Sequence, residues 1–548
     1  MNRDAAVARL RAGEPFDLLV IGGGATGLGI AIDAASRGHS IALVERGDFG
    51  CGTSSRSTKL VHGGVRYLEQ GNLRLVREAL AERSILLANA PHLAHPLAFV
   101  LPCHGWWERV FYGAGLGVYD LLSVGGSGSA RFRASRGLSR EEVFARCPGL
   151  ARSPGGRGVD SGIVYEDGQF DDARLVVNLA QTADGLGARV ANRVEVVGLL
   201  SHHGRIAGAT LRDHETGDAF EVRSRSVVNA TGAFCDAVRR LDDPLAPPIV
   251  AASQGIHLVL PRRFLPGETA VIVPKTPDGR VIFAIPWRDR VVVGTTDTPV
   301  PVVTAEPGPR EEEIAFLLEL CGRYLATPPA RDDILSIFTG IRPLVSAAGA
   351  ASTKSLSRDH TILVPPSGLV TITGGKWTTY RRMAEEAVNR VEPLAGLRPR
   401  PCVTRTLRIH GSPPPGRSWG SPPPGRSWGS PPPGETVPDP ADDPLTVYGD
   451  DAEAIRELTR AEASLASPIH DSLPTIRAQI VWAVREEMAR TVDDVLSRRT
   501  RDLVVDARAA IEAAPLVASI MAGELGRDDA WQRSQVEAFR SIAETCLP

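Results

Sequence analysis

The sequence predicts an α/β fold in three parts. A buried strand ending in glycines opens the chain, paired strands fill its middle, and helical periodicity takes over towards its end. "FDLLVIGGG", from Phe16, is an apolar, β-branched run of strand length closed by glycines. "ATGLGIAIDAASRG" follows as a helix stopping at Gly38, and "SIALVERG" as a second buried strand ending in Glu45. The first turn of this βαβ unit holds Gly22, Gly24 and Gly27 in the spacing G-x-G-x-x-G. The first glycine permits the tight turn, the second lets backbone approach a pyrophosphate, and the third lets helix and strand pack closely. The helix N-terminus then faces the phosphates, and Glu45 is placed to accept from ribose hydroxyls. The first part is therefore expected to be Rossmann-like.

Downstream, "ARLVVNLAQTADGLGA" reads as a helix with Asp171 and Asp172 as N-cap chemistry. "RVEVVGLLSHHGRIAGATLRDHETGDAFEVRSRSVVNATG" reads as a strand meander turning at His203-Gly204 and Thr216-Gly217. "RVIFAIPWRDRVVVGTTD" reads as a hairpin turning at Arg288-Asp289, part of an antiparallel substrate sheet. "GSPPPGRSW" then repeats from Gly411 and Gly420, with a third start at Gly429. Triple prolines exclude helix and central strand, so this is a linker of polyproline II rods and flexible hinges. "SLPTIRAQIVWAVREEMARTVDDVLSRRTR" carries an amphipathic helical period, broken once around Thr491. The expected organisation is an oxidoreductase-type domain over 1–400, the repeat linker over 401–435 and a helical C-terminal domain over 436–548. Within the first domain the nucleotide-binding parts are expected at about 14–80, 155–250 and 335–395, and the substrate sheet at about 250–335.

The 548 residues suit two or three domains. A formal net charge of −2 supplies no global field for nucleic acid, so an anionic ligand must be held by local cations. Seven scattered cysteines, never in C-x-x-C, argue against a disulfide framework or a metal site and for a reducing compartment. "MNRDAAVARLRAGEP" carries charges through any apolar region, so no secretory signal is expected. The most apolar stretch, Leu18 to Ile32, is too short and too glycine-rich for a membrane span.

"GAGLGV", from Gly113, fails the spacing of a second nucleotide site. A flavin enzyme needs one such site plus further chain around the isoalloxazine, and three later stretches suit that wrapping. The first runs from Thr53 to Gly64 and offers Ser54, Ser55, Lys59, Leu60, His62, Gly63 and Gly64. The second, Val227 to Phe234, offers Ala230 and Gly232. The third, Thr373 to Val388, puts Gly374, Gly375, Lys376 and Thr378 at a helix start, where a lysine and free N–H groups face the negative end of a reduced flavin.

These stretches come in one order: "VIGGGATGLGIAIDAASRG", "TSSRSTKLVHGGVRYLEQ", "FDDARL", "NATG", "IPW", "GTTD", "GIRPL" and "GGKWTTYRRMAEEA". Together they resemble the FAD-dependent glycerol-3-phosphate dehydrogenases. "VREEMARTVDDVLSRRTR" is similar to that family's helical cap domain, whereas the triple-proline insert departs from its pattern. The resemblance implies non-covalent FAD, oxidation of sn-glycerol 3-phosphate to dihydroxyacetone phosphate, and electrons passed to membrane quinone. It also implies a cytoplasmic chain held peripherally on the inner face of the cell membrane, and a homodimer is expected.

A phosphate dianion needs bidentate donors, which arginine supplies. Arg66 and Arg342 match the family's substrate-site arginines, with Arg66 assigned to the phosphate. Tyr67 adds a hydroxyl, and Lys376 a cation near flavin or substrate. His257, in "SQGIHLVL", matches the family's histidine and is the candidate base, against a plain hydrogen-bonding role within the sheet. Arg342 also suits stabilisation of the oxygen being oxidised. Trp106, Trp107, Phe111, Tyr112 and Tyr119 cluster with Arg109 as an interfacial segment, against a core or dimer segment. Open alternatives are an oxidase using O₂, an amino-acid or hydroxy-acid oxidase on the same fold, and a non-catalytic flavin-bound interaction protein.

Overall fold

Phe16–Ile21 is an inner strand of a largely parallel sheet, paired with Ile41–Val44 on one side and Ala219–Asn229 on the other. Arg189–Ala191 extends it beyond Ile41–Val44, and Val370–Gly374 beyond Ala219–Asn229. His360–Leu363 closes that second edge as an antiparallel strand. The structure is a computed structural model describing residues 1–64, 72–123, 132–273, 281–345, 360–413 and 443–548. These strands read as unbroken apolar runs because both faces are covered. Leu18 and Val20 pack under helices Ala25–Ser36, Asp172–Gly185 and Tyr380–Leu394. Leu19 and Ile21 face the N-terminal helix Arg3–Arg11 and the meander Val194–His202, Arg205–Asp213 and Ala219–Asn229. The expected turn at His203-Gly204 forms with both residues left-handed, the geometry of a two-residue hairpin.

The second sheet is mostly antiparallel. Its long strand Val250–Pro261 lies between Ser336–Val345 and Arg290–Gly294. Ile282–Trp287 and Ala270–Val273 follow, with the expected turn at Arg288-Asp289. Ala94–Cys103 then joins parallel, followed by Ser161–Phe170 and Leu60–Val61. The sheet therefore reaches well beyond residues 250–335. The chain crosses between the two sheets, and pairings such as Ala94↔Phe170 through Cys103↔Ser161 join segments far apart in sequence.

From residue 443 on, the described chain is helical, with Arg477–Glu486, Ala507–Leu525 and Asp529–Glu544 as its main helices. The amphipathic run breaks after Glu486 and resumes as the short helix Asp494–Arg499. At the break Met488 is left-handed, and Glu487 takes both Nη groups of Arg174 at 2.8 Å, with both side chains fully buried. Ile480, Leu496, Leu503 and Val517 of this domain share one core with Trp287, Val292 and Phe338 of the second sheet. The repeat segment 414–442 lies outside the described residues. Among the described residues no helix is long and apolar enough to cross a membrane.

Candidate active site

The G-x-G-x-x-G turn sits where the parallel sheet meets its first helix. Gly22 is left-handed (φ 111°), and a Cβ there would stand 2.7 Å from the Ala230 carbonyl oxygen. Gly24 caps the helix without a side-chain cap, and the Ala25 N–H donates to Ser54 Oγ at 3.1 Å. Glu45 Oε2 accepts from Gly23 N at 2.7 Å and Oε1 from Gly47 N at 2.8 Å. Burial pushes the Glu45 carboxyl up, and these two N–H groups pull it back. Oε1 also takes Cys51 Sγ at 3.8 Å, and Oε2 retains a lone pair for a further donor.

The three stretches expected to wrap a flavin converge on this turn. Ala230 N–H donates to Ile21 O at 2.9 Å, placing 227–234 beside the first strand. Thr373 Oγ1 donates to Gly232 O at 3.0 Å. Gly374 and Gly375 are both left-handed, and Lys376 is the N-cap of a turn leading into Tyr380–Leu394. Trp377 Nε1 donates to Ser54 O at 2.8 Å, and His62 N to Thr378 Oγ1 at 3.2 Å. The 53–64 and 373–378 segments are thus zipped together. Ser55 and Leu60 are buried in the same loop, and Gly63 N donates to Tyr119 Oη at 2.8 Å. Gly64 follows in the left-handed region.

This loop crosses one face of the second sheet. His257 and Arg342 stand on neighbouring strands and share that face, because the register pairs Ser253↔Arg342, Gly255↔Gly340 and His257↔Phe338. The paired glycines between them leave no side chain there. A Cβ on Gly340 would stand 2.8 Å from the Arg56 carbonyl oxygen, and one on Gly255 would stand 2.4 Å from Arg342 Nη2. Thr53 Oγ1 donates to Ile341 O at 2.6 Å, and Thr58 Oγ1 lies 2.9 Å from His257 Nε2. The His257 ring stacks on Phe338, with centroids 4.5 Å apart and planes 9° apart. Burial, then the charges of Lys59 and Arg342, hold the imidazole well below its ordinary pKa, so it is neutral at neutral pH. Arg342 Nη2 donates to Thr295 Oγ1 and Thr296 O at 3.0 Å, and Nη1 faces Asp297 Oδ1 at 3.2 Å.

The Lys59 side chain is spent inside the protein. Its ammonium is wholly buried, donating to Asp172 Oδ2 at 2.9 Å and to the carbonyls of Ser57 and Ser55 at 3.1 and 3.3 Å. Three donors meet three protein acceptors, so any cofactor contact at Lys59 is made by its backbone. Burial lowers its pKa to about 8 against the pull of Asp172. Arg66 and Tyr67 lie outside the described residues. Thr58, Asp297 and Asp172 were not singled out by sequence as site residues. The doubled acid in "FDDARL" is the signal that carried Asp172: Asp171 alone caps the helix, accepting from Arg174 N at 3.1 Å.

The FAD dependent oxidoreductase family model matches residues 17–381, and that of the C-terminal domain of alpha-glycerophosphate oxidase matches 372–532. A mitochondrial glycerol-3-phosphate dehydrogenase of Arabidopsis thaliana is 40% identical over 99% of this chain and 88% of its own. The chain belongs to the FAD-dependent glycerol-3-phosphate dehydrogenases. The mitochondrial glycerol-3-phosphate dehydrogenase of Homo sapiens is 39% identical over 99% of this chain and 75% of its own. The solved glycerol-3-phosphate dehydrogenase of Bacillus halodurans, complexed with FAD, matches with a TM-score of 0.77 at 27% identity, covering 100% of this chain and 97% of its own. L-alpha-glycerophosphate oxidase of Mycoplasma pneumoniae shares the fold, with a TM-score of 0.54 at 17% identity over 72% of this chain and 99% of its own. FAD is the cofactor of this glycerol-3-phosphate dehydrogenase. Its residues fit that group: the glycine turn leaves bare backbone, the helix N-terminus carries no side chain of its own cap and meets only Ser54 Oγ at Ala25 N, and Glu45 directly follows the second strand.

Proposed function

We propose that this enzyme oxidises sn-glycerol 3-phosphate to dihydroxyacetone phosphate at the face shared by His257 and Arg342. FAD, when bound, would supply the two-electron oxidant that accepts the C2 hydride. Gly22, Gly24, Gly27, Glu45 and the segments 53–64 and 373–378 hold it. His257 takes the proton of the C2 hydroxyl. With Nε2–H donated to Thr58 Oγ1, Nδ1 keeps its lone pair, and among the described residues Nδ1 has no hydrogen-bond partner. Arg66 binds the phosphate, Arg342 binds the substrate and stabilises the oxygen being oxidised, and Lys376 adds a cation at the helix start. The observation that carries this reading is the strand register, which puts His257 and Arg342 on one face with the glycine pair Gly255↔Gly340 between them, so that the Arg342 guanidinium and the Arg56 backbone of the flavin loop close over that face in place of side chains.

The test is anaerobic addition of sn-glycerol 3-phosphate to the flavoprotein. Bleaching of the oxidised flavin band, absent with glycerol and with amino acids, supports the proposal. A flavin that stays oxidised overturns it in favour of a binding role. Re-oxidation by a quinone analogue without peroxide supports a dehydrogenase, and stoichiometric peroxide an oxidase.

Quinone resides in lipid, and helix Trp106–Ser123 supports attachment there. Trp107, Phe111, Ala114, Val118 and Leu121 recur every three or four residues on one face and are all exposed, with Trp106 74% and Leu121 71% exposed. Aromatic and aliphatic side chains on one face of a surface helix suit a lipid interface.

A further inference from the structure

We propose that Arg501, in the helical C-terminal domain, is a positioning residue for substrate oxidation: through Asp172 it fixes the loop residues that hold His257. The inference rests on the reading of His257 given above. Arg501 is 1% exposed, and its Nη2 donates to Asp172 Oδ1 at 2.9 Å and to Ser55 O at 3.1 Å. Its Nη1 donates to Ser497 O at 2.9 Å, and its Nε lies 3.7 Å from Asp171 Oδ1. The guanidinium thus spans the C-terminal domain, the helix Asp172–Gly185 and the flavin loop.

Asp172 has five donors. Oδ1 takes Arg501 and the Ala173 N–H, while Oδ2 takes Ser57 N at 2.9 Å, Ser57 Oγ at 2.8 Å and Lys59 Nζ at 2.9 Å. Arg501 satisfies one oxygen and so orients the other towards the loop. Ser57 and Lys59 are both anchored there, and Thr58 between them meets His257 Nε2. Lys59 is held in the left-handed region, φ 65°, which a lysine adopts only under constraint. A second route reaches the same ring: Lys59 Nζ lies 4.5 Å from the Phe338 centroid, and Phe338 stacks on His257.

Arg501 is not needed merely to dock the domain. Arg174 with Glu487, and Asp48 with Arg498 and Arg499, tie it down without touching the loop that bears Thr58. These ties provide the control. In the holoenzyme, Arg501→Lys keeps the charge but loses the planar fork that serves Asp172, Ser55 and Ser497 together. FAD content and KM are expected to stay within about twofold, while the anaerobic rate of flavin reduction at saturating substrate falls about 10- to 100-fold. Glu487→Gln is expected to lower thermal stability and leave that rate unchanged. A reduction rate in Arg501→Lys equal to wild type overturns the inference. So does a joint loss of FAD, stability and rate of the same kind in Glu487→Gln, because the effect is then simple docking. Should Arg501→Lys not fold, Thr58→Val decides: it must slow reduction with FAD retained, and an unaltered rate overturns the inference. Wild-type flavin that never bleaches overturns the parent reading and this one with it, whereas bleaching wild type with unaltered variants overturns this one alone.

Discussion

A Cβ placed on Gly27 would lie 1.9 Å from the carbonyl oxygen of Gly22. The obstacle is backbone on the strand side of the turn, so no side-chain rotation relieves it. Gly27→Ala is therefore expected to cost about 3 kcal/mol or more by overpacking and to yield protein without FAD. Gly52→Ala is the control, since nothing stands within 4 Å of its Cβ and its φ is −82°. Its stability should change by less than about 0.5 kcal/mol. Flavin absorbance of the purified protein and thermal unfolding check both.

Arg342 has a different standing, because it lies on the second sheet, on Ser336–Val345, whereas the glycine turn opens the first. Its side chain is 30% exposed and is held by Asp297, Thr295 and Thr296. Arg342→Ala should keep FAD and lower kcat/KM by about two to three orders of magnitude, the loss expected when one partner of a charged contact is removed. Arg342→Lys should recover only part of this, because a point charge cannot replace a bidentate fork. Steady-state kinetics with a soluble dye acceptor measure the effect, and unchanged kinetics would remove Arg342 from the site.

The sequence could be read as far as its information was local. The βαβ unit, the His203-Gly204 turn and the break near Thr491 are each written within a few residues, as spacing, composition or capping. The loop residues 53–64 could be found as a motif, but not the direction of Lys59, whose partner Asp172 is 113 residues away. Arg501 lies 329 residues from the same carboxylate, and nothing in "RRTR" names an aspartate in the other domain. The second sheet was under-read for the same reason. "AHPLAFVLPC" is a plain apolar run whose place is set by its pairing with Ser161–Phe170.

The pH dependence follows from where His257 sits. Burial and the cations Lys59 and Arg342 hold it below the ordinary histidine pKa, while its other close neighbours, Thr58 and Phe338, carry no charge. The neutral, proton-accepting form therefore persists as pH falls through about 6.5 and is lost only below it. The limb of kcat/KM that belongs to His257 should accordingly lie on the acid side of that value. The substrate phosphate ionises in a similar range, so the profile of His257→Gln separates the two: a limb that survives belongs to the phosphate. The same variant should slow flavin reduction by about 10²- to 10⁴-fold. A His257-dependent limb above pH 7 would contradict the burial argument.

Helix Trp106–Ser123 ties the exposed apolar stripe to the site. Tyr119, on its buried face, accepts from Gly63 N at 2.8 Å and donates to Asp167 Oδ2 at 2.6 Å. Trp106 and Trp107 lie on the outer side, 74% and 62% exposed. Trp106→Ser with Trp107→Ser removes apolar area that a lipid interface would bury, while leaving Tyr119 and the flavin loop untouched. Binding to phospholipid vesicles should weaken roughly 10²- to 10⁴-fold, taking about 1.5–3 kcal/mol for each of the two large apolar side chains taken out of water. Turnover with a soluble acceptor should not change, whereas turnover with a quinone carried in those vesicles should fall in step with binding. Sedimentation of the wild type without lipid tests the competing occupant. If the stripe is buried between two copies of this chain, the serine variant becomes monomeric and vesicle binding is the same before and after substitution.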